Sequence, residues 1–182
     1  AITSAAKLDV TGLTKLTAID GSKSTGALEI TSTADIQTVS TGAGDDTVSY
    51  TVTTDLANAK KLSASLATGA GKDAITVDAS GAGPITVDAG DGDDSVTMTT
   101  AVGSATVDGG AGKDTVTLPV ADTSFTTSAY NKITTKLLNF EVLAFNSAAT
   151  IDASKASQFS EFTFKVGSDA NSKITKVADT QT

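Results

Sequence analysis

Apolar residues recur along this chain at two periods at once. Within short runs they alternate with polar ones, as in Ile75-Thr76-Val77-Asp78 and Ile85-Thr86-Val87-Asp88, which is the pattern of strands with one buried face. Between runs they return at intervals of about 20 residues. Val48, Ile75, Val96 and Val116 form one column, Tyr50, Val77, Met98 and Leu118 a second, and Val39, Leu66, Val87 and Val107 a third. Stepping back by 20 extends the first two columns to Leu28 and Ile30, then to Leu8 and Val10, and the third to Ile19. Residues 1–40 therefore read as two further coils.

Two strands and two turns in about 20 residues make one rung of a parallel β-solenoid, a β-helix or β-roll, with equivalent positions stacked at ~4.8 Å. The crossover rule makes it right-handed. The whole chain, 1–182, reads as one all-β solenoid segment: degenerate rungs over 1–40, loop-bearing rungs over 41–118 and irregular rungs over 119–182. The stretch Thr54 to Leu62 breaks the period; it has helical residue preferences and reads as a surface insertion at a turn. Ile151-Asp152-Ala153-Ser154-Lys155 echoes Ile19-Asp20-Gly21-Ser22-Lys23. Phe162-Thr163-Phe164 then follows as Leu28-Glu29-Ile30 does, with two extra residues between, and Val142-Leu143-Ala144-Phe145 supplies an intervening strand. Ser128 to Leu138 is a candidate short helix, and Val177 to Thr182 a frayed end.

One flank of the rungs carries a loop written four times: Gly42-Ala43-Gly44-Asp45-Asp46, Gly69-Ala70-Gly71-Lys72-Asp73, Gly90-Asp91-Gly92-Asp93-Asp94 and Gly110-Ala111-Gly112-Lys113-Asp114. Alternate glycines permit positive-φ turns that direct carbonyls inward, and the aspartate adds a hard anionic oxygen at a fixed offset. A calcium ion takes six to eight oxygens at about 2.3–2.6 Å, more than one such loop offers, but two loops stacked a rung apart suffice. Asp46, Asp73, Asp94 and Asp114 share one offset and would serve three gaps, 46/73, 73/94 and 94/114; Asp45 and Asp93 are further candidates. Without an ion this column is like-charged, so folding is expected to be linked to calcium. A lone Gly-Asp loop is an ordinary turn; four in phase with three apolar columns point to a repeated site. Asp78, Asp88 and Asp108 read as strand terminators in solvent, with further ligands as the alternative for Asp88 and Asp108, which stand two residues before a first glycine.

Composition narrows the function. The chain has no cysteine and no histidine, which removes thiolate sites, Ser-His-Asp and Cys-His catalysis and histidine-bound zinc from these residues. All 13 basic residues are lysine and the net charge is −8, so phosphate backbones are repelled and cations favoured. Neither nucleic acid nor membrane insertion is expected. The start at Ala1-Ile2-Thr3-Ser4 lacks a signal-peptide pattern and suggests a trimmed piece of a longer solenoid.

The four loops resemble the nonapeptide repeats of RTX proteins, G-G-x-G-x-D-x-U-x, a calcium-binding β-helix signature. The first glycine of the pair is present only as Gly109, with Thr41, Thr68 and Ala89 in its place elsewhere, and the loop occurs once per rung, which implies a single row of ions. The Thr/Ala/Ser/Gly-rich background, with Leu16-Thr17-Ala18-Ile19-Asp20-Gly21-Ser22 and Leu138-Asn139-Phe140-Glu141-Val142-Leu143, is similar to calcium-dependent bacterial surface-layer proteins. That resemblance implies type I secretion, self-association into a two-dimensional lattice through the full-length protein, calcium as structural ligand, and cell-surface polysaccharide as a second candidate partner. It makes the segment structural and not an enzyme. The competing expectations are the RTX tail of a secreted protease or lipase and an adhesin module.

Overall fold

The computed structural model describes residues 4–11, 13, 16–33, 36–51, 54–55, 60–61, 63–80, 83–119, 126–164 and 172–175. Its strands are short, because each run of alternation is bounded by glycine-rich turns. They are β1 (Ala6–Asp9), β2 (Ala18–Asp20), β3 (Leu28–Thr33), β4 (Thr38–Ser40), β5 (Thr47–Thr51), β6 (Thr54–Asp55), β7 (Lys60–Lys61), β8 (Ala64–Ala67) and β9 (Ala74–Asp78). Then follow β10 (Ile85–Asp88), β11 (Ser95–Met98), β12 (Ala105–Asp108), β13 (Thr115–Leu118), helix α1 (Thr127–Lys136), β14 (Leu137–Leu138), β15 (Val142–Phe145), β16 (Thr150–Asp152), β17 (Glu161–Phe164) and β18 (Lys173–Thr175).

The strands stack into two parallel sheets, one of eight in the order β1-β3-β5-β9-β11-β13-β15-β17 and one of six in the order β2-β4-β8-β10-β12-β14. Successive passes of the chain alternate between the sheets, giving a β-solenoid of about seven turns with roughly 21 residues each. The core lies between the sheets. Burial alternates along the strands as the sequence does, and Val48, Ile75, Val96 and Val116 face Val39, Leu66, Val87 and Val107, all buried. The third column is in register throughout: Ile19 with Val39, Val39 with Leu66, Leu66 with Val87, and Val87 with Val107. Tyr50 is enclosed as well, its hydroxyl donating to the Ile36 carbonyl at 2.6 Å.

The N-terminal register differs from a uniform step of 20. Ile30, not Leu28, pairs with Val48, and Leu8 pairs with Ile30. Leu28 instead stands one residue before the Glu29–Thr47 pair, at the level of Asp46. A two-residue shift leaves every side chain on its own face, so alternation does not oppose it. With Ile30 as the reference, the spacing from Ile19 equals that from Ile151 to Phe162, and the two extra residues of the C-terminal echo disappear. Asp20 and Asp152 also make the same local turn, each accepting from the backbone N–H and hydroxyl of the serine two residues on.

The insertion is a short antiparallel ribbon, β6 with β7, rather than a helix; residues 56–59 and 62 lie outside the description. The stacked pairs on either side of it, β5 with β9 and β4 with β8, are unbroken. Helix α1 occupies the stretch expected from Ser128 to Leu138, beginning one residue earlier and ending at Lys136. Thr126 caps it by accepting from the Ala129 N–H, and it buries Tyr130 and Ile133. All four residues of β15 are buried, and Phe145 stacks on Phe164 at 5.4 Å between ring centroids. Of the expected frayed end, Val177 to Thr182, nothing is described. Among the described residues no helix is long and apolar enough to cross a membrane.

Candidate metal centre

The glycine loops stack because the strands after them do. Parallel bridges link Ala43, Ala70, Asp91 and Ala111 from rung to rung. Between them the Gly42, Gly69 and Gly90 carbonyls accept from Ala70, Asp91 and Ala111 N–H groups at 2.8–2.9 Å. The spacing tolerates no side chain: a Cβ on Gly90 would lie 1.8 Å from the Gly69 oxygen, and one on Gly92 1.8 Å from the Gly71 oxygen. The loop glycines 44, 69, 71, 90, 92, 110 and 112 all have positive φ; Gly42 does not, but a Cβ there would meet the Ser24 carbonyl at 2.2 Å. Carbonyls of Gly42, Gly44, Gly69, Gly71, Gly90 and Gly92 thus run along the stack toward the next rung, not simply inward. Their second lone pairs remain acceptors.

Asp46, Asp73, Asp94 and Asp114 come together as one column, each at most 1% exposed. Each carboxylate is held by the rung before it. Oδ1 of Asp73, Asp94 and Asp114 accepts from the backbone N–H of Asp46, Asp73 and Asp94, every bond 2.8 Å long. Oδ1 of Asp46 accepts from the Leu28 N–H at 2.7 Å. Oδ2 is buried without a hydrogen-bond partner in all four. The Thr68 hydroxyl beside Asp73 sends its proton to the Ala89 carbonyl at 2.7 Å, so it does not relieve that oxygen. A buried acceptor left unpaired costs about 1–3 kcal/mol, more when charged. Four in one column are a large fraction of the ~5–15 kcal/mol that stabilises a typical domain.

The electrostatics agree. Burial pushes the carboxyls of Asp73, Asp94 and Asp114 up, that of Asp94 to about 6, and neighbouring carboxylates push the same way. The backbone N–H bonds oppose the shift without cancelling it. A hard cation at the free oxygens would remove both penalties. The donor set fits calcium: carboxylate oxygens in a water-poor column beside backbone carbonyls. Among the described residues no three acidic side chains surround one point, so most of each shell would come from carbonyls.

Asp45 and Asp93 do not join the column. Both are exposed and point outward, where their Oδ1 atoms accept from the Lys72 and Lys113 N–H groups at 2.8 and 2.9 Å. The signal was in the chain: each shares parity with the outward residues of the following strand, whereas Asp46 and Asp94 share parity with the core. The outward position therefore alternates Asp45, Lys72, Asp93, Lys113 up the stack. Asp78 and Asp108 end their strands by accepting from N–H groups two residues on, as strand terminators do.

Sequence reasoning missed Glu141. It stands in register with Asp114, and its Oε2 accepts from the Asp114 N–H at 2.8 Å, as each aspartate does for the rung before it. The acid two residues before Leu143 and four before Phe145 was its signal. The chain matches no protein-family model, no curated protein and no solved structure.

Proposed function

We propose that this chain is a structural segment of a secreted bacterial surface layer, made rigid by calcium held between its stacked glycine-aspartate loops and assembled through the full-length protein into a two-dimensional lattice. One observation carries the calcium reading: four buried aspartate oxygens in a single column without a hydrogen-bond donor. Asp46, Asp73, Asp94 and Asp114 would hold the ions together with carbonyls of the glycine loops. The ion would supply charge compensation and cross-linking between rungs, not catalysis. The lattice reading draws its support from the resemblance of the loops and their Thr-rich surroundings to surface-layer proteins. Type I secretion and contact with cell-surface polysaccharide belong to the same reading.

Chelation should lower the β-sheet signal in circular dichroism and the melting temperature. Millimolar calcium should restore both, more fully than magnesium, which demands a tighter octahedral shell. Identical melting curves in chelator and calcium would overturn the metal reading. For the lattice, electron microscopy of the full-length protein should show calcium-dependent sheets. Dispersed particles with and without calcium, together with hydrolytic activity in the same preparation, would replace it by the tail of a secreted enzyme.

A further inference from the structure

The acidic column does not end with the fourth loop. Strand β14 brings Leu138 beside Asp108, and β15 brings Val142 beside Thr115. Between those points one rung runs through six residues, 109–114, and the next through only three, Asn139-Phe140-Glu141. Asn139 makes the tight turn with φ 53°. The shorter turn carries a longer acid, and Glu141 reaches the Asp114 N–H where an aspartate serves the other rungs.

Asp114 is fully buried, and its Oδ2 has no partner. That oxygen lies 2.9 Å from the point where a Cβ on Gly109 would stand, and the Asn139 carbonyl oxygen lies 2.3 Å from the same point. The equivalent positions in the other three rungs, Thr41, Thr68 and Ala89, carry side chains. Glycine here lets the two rungs close up, so that one buried, unpaired carboxylate oxygen and one backbone carbonyl oxygen crowd the same point, with Glu141 and Asp108 adding negative charge beside Asp114. At the opposite end of the column Leu28 offers Asp46 a backbone N–H but no side-chain oxygen.

We propose that the gap between Asp114 and Glu141 is a fourth divalent-cation site, closing the row with Asp114 Oδ2, the Glu141 carboxylate and the Asn139 carbonyl as ligands. This rests on the calcium reading of the column and extends it from three gaps to four. Glu141→Gln is the informative variant, because the amide oxygen still accepts from the Asp114 N–H while the charge is lost. Gly109→Ala sets a methyl group against both oxygens. The readout is calcium bound per chain after dialysis, by metal analysis and by titration calorimetry, with the melting temperature in chelator as a control. Glu141→Gln should bind one ion fewer than the parent chain and melt within about a degree of it in chelator; Gly109→Ala, if it folds, should lose the same ion. Full stoichiometry in Glu141→Gln would overturn the fourth site and leave Glu141 as a cap on the column. A parent chain that binds no calcium would overturn the reading beneath it instead.

Discussion

At the scale of single residues, glycine serves two purposes that mutation separates. Gly90 and Gly103 both have positive φ, at 102° and 54°. Around Gly103 the nearest atom to an added Cβ is the Ala101 oxygen at 3.5 Å, whereas at Gly90 it is the Gly69 oxygen at 1.8 Å. Gly103→Ala pays only the left-handed backbone cost, roughly 1–2 kcal/mol. Gly90→Ala adds a collision with backbone that repeats in the rungs on either side, and should cost more than about 4 kcal/mol, the range in which strained and overpacked sites fall. Denaturant unfolding in calcium measures both, and equal losses would show that the stacked loops have room to separate. The aspartates follow the same logic of position over identity: Asp45 and Asp46 are neighbours in the chain, yet one is solvated and the other is sealed within the column.

At the scale of elements, each strand is too short to persist alone, and stability comes from pairing with the rungs above and below. Elements outside the two sheets should therefore be dispensable. Among the described residues the β6–β7 ribbon pairs only with itself, while Tyr50 and Val77, and Val39 and Leu66, stay in register on either side of it. Replacing Thr54 to Lys61 by a short glycine-serine turn is expected to shift the melting temperature by no more than a few degrees, in calcium and in chelator alike, as differential scanning calorimetry would show. Loss of cooperative melting in that variant would mean that the ribbon takes part in the stack. Helix α1 is a different case, since it buries Tyr130 and Ile133 against the end of the core.

At the scale of the whole molecule, the acidic column runs through successive rungs, each carboxylate tied to the rung before it. Its pH dependence has a definite sign. The carboxyls of Asp73, Asp94 and Asp114 are raised above their ordinary value of 3.8, Asp94 to about 6, so the folded chain binds protons more tightly than the unfolded one. In the metal-free protein that stabilisation is complete below pH 3.8 and is lost as the pH rises through about 6. Asp9 and Asp20, whose carboxyls are lowered by hydrogen bonds from Thr11 and Ser22, act in the opposite direction but below that window. In chelator the melting temperature should fall between pH 4.5 and pH 7. With calcium in place of the proton the fall should vanish or reverse. A metal-free chain that grows more stable over this interval would show that the column is solvated, against the burial described above.

Much of this architecture was legible in the chain because a solenoid repeats its own evidence. The two-residue alternation determined the strands, the interval of about 20 residues determined the rungs, and the recurrence of Gly-x-Gly-x-Asp placed the four aspartates at one offset. What the tertiary structure alone decided concerns relations between rungs. Alternation is blind to a shift of two residues, so only the packing of Ile30 under Val48 set the N-terminal register and left Leu28 at the foot of the acidic column. Glycine composition could not say where the carbonyls point, because their direction follows from N–H groups that lie more than 20 residues further along the chain. Glu141 lacks the glycine loop and shares with the aspartates only its offset from the two apolar columns, two residues before Leu143 and four before Phe145. It joins the column because a turn shortened by three residues sets it beside Asp114, a proximity that exists only once the rungs are stacked.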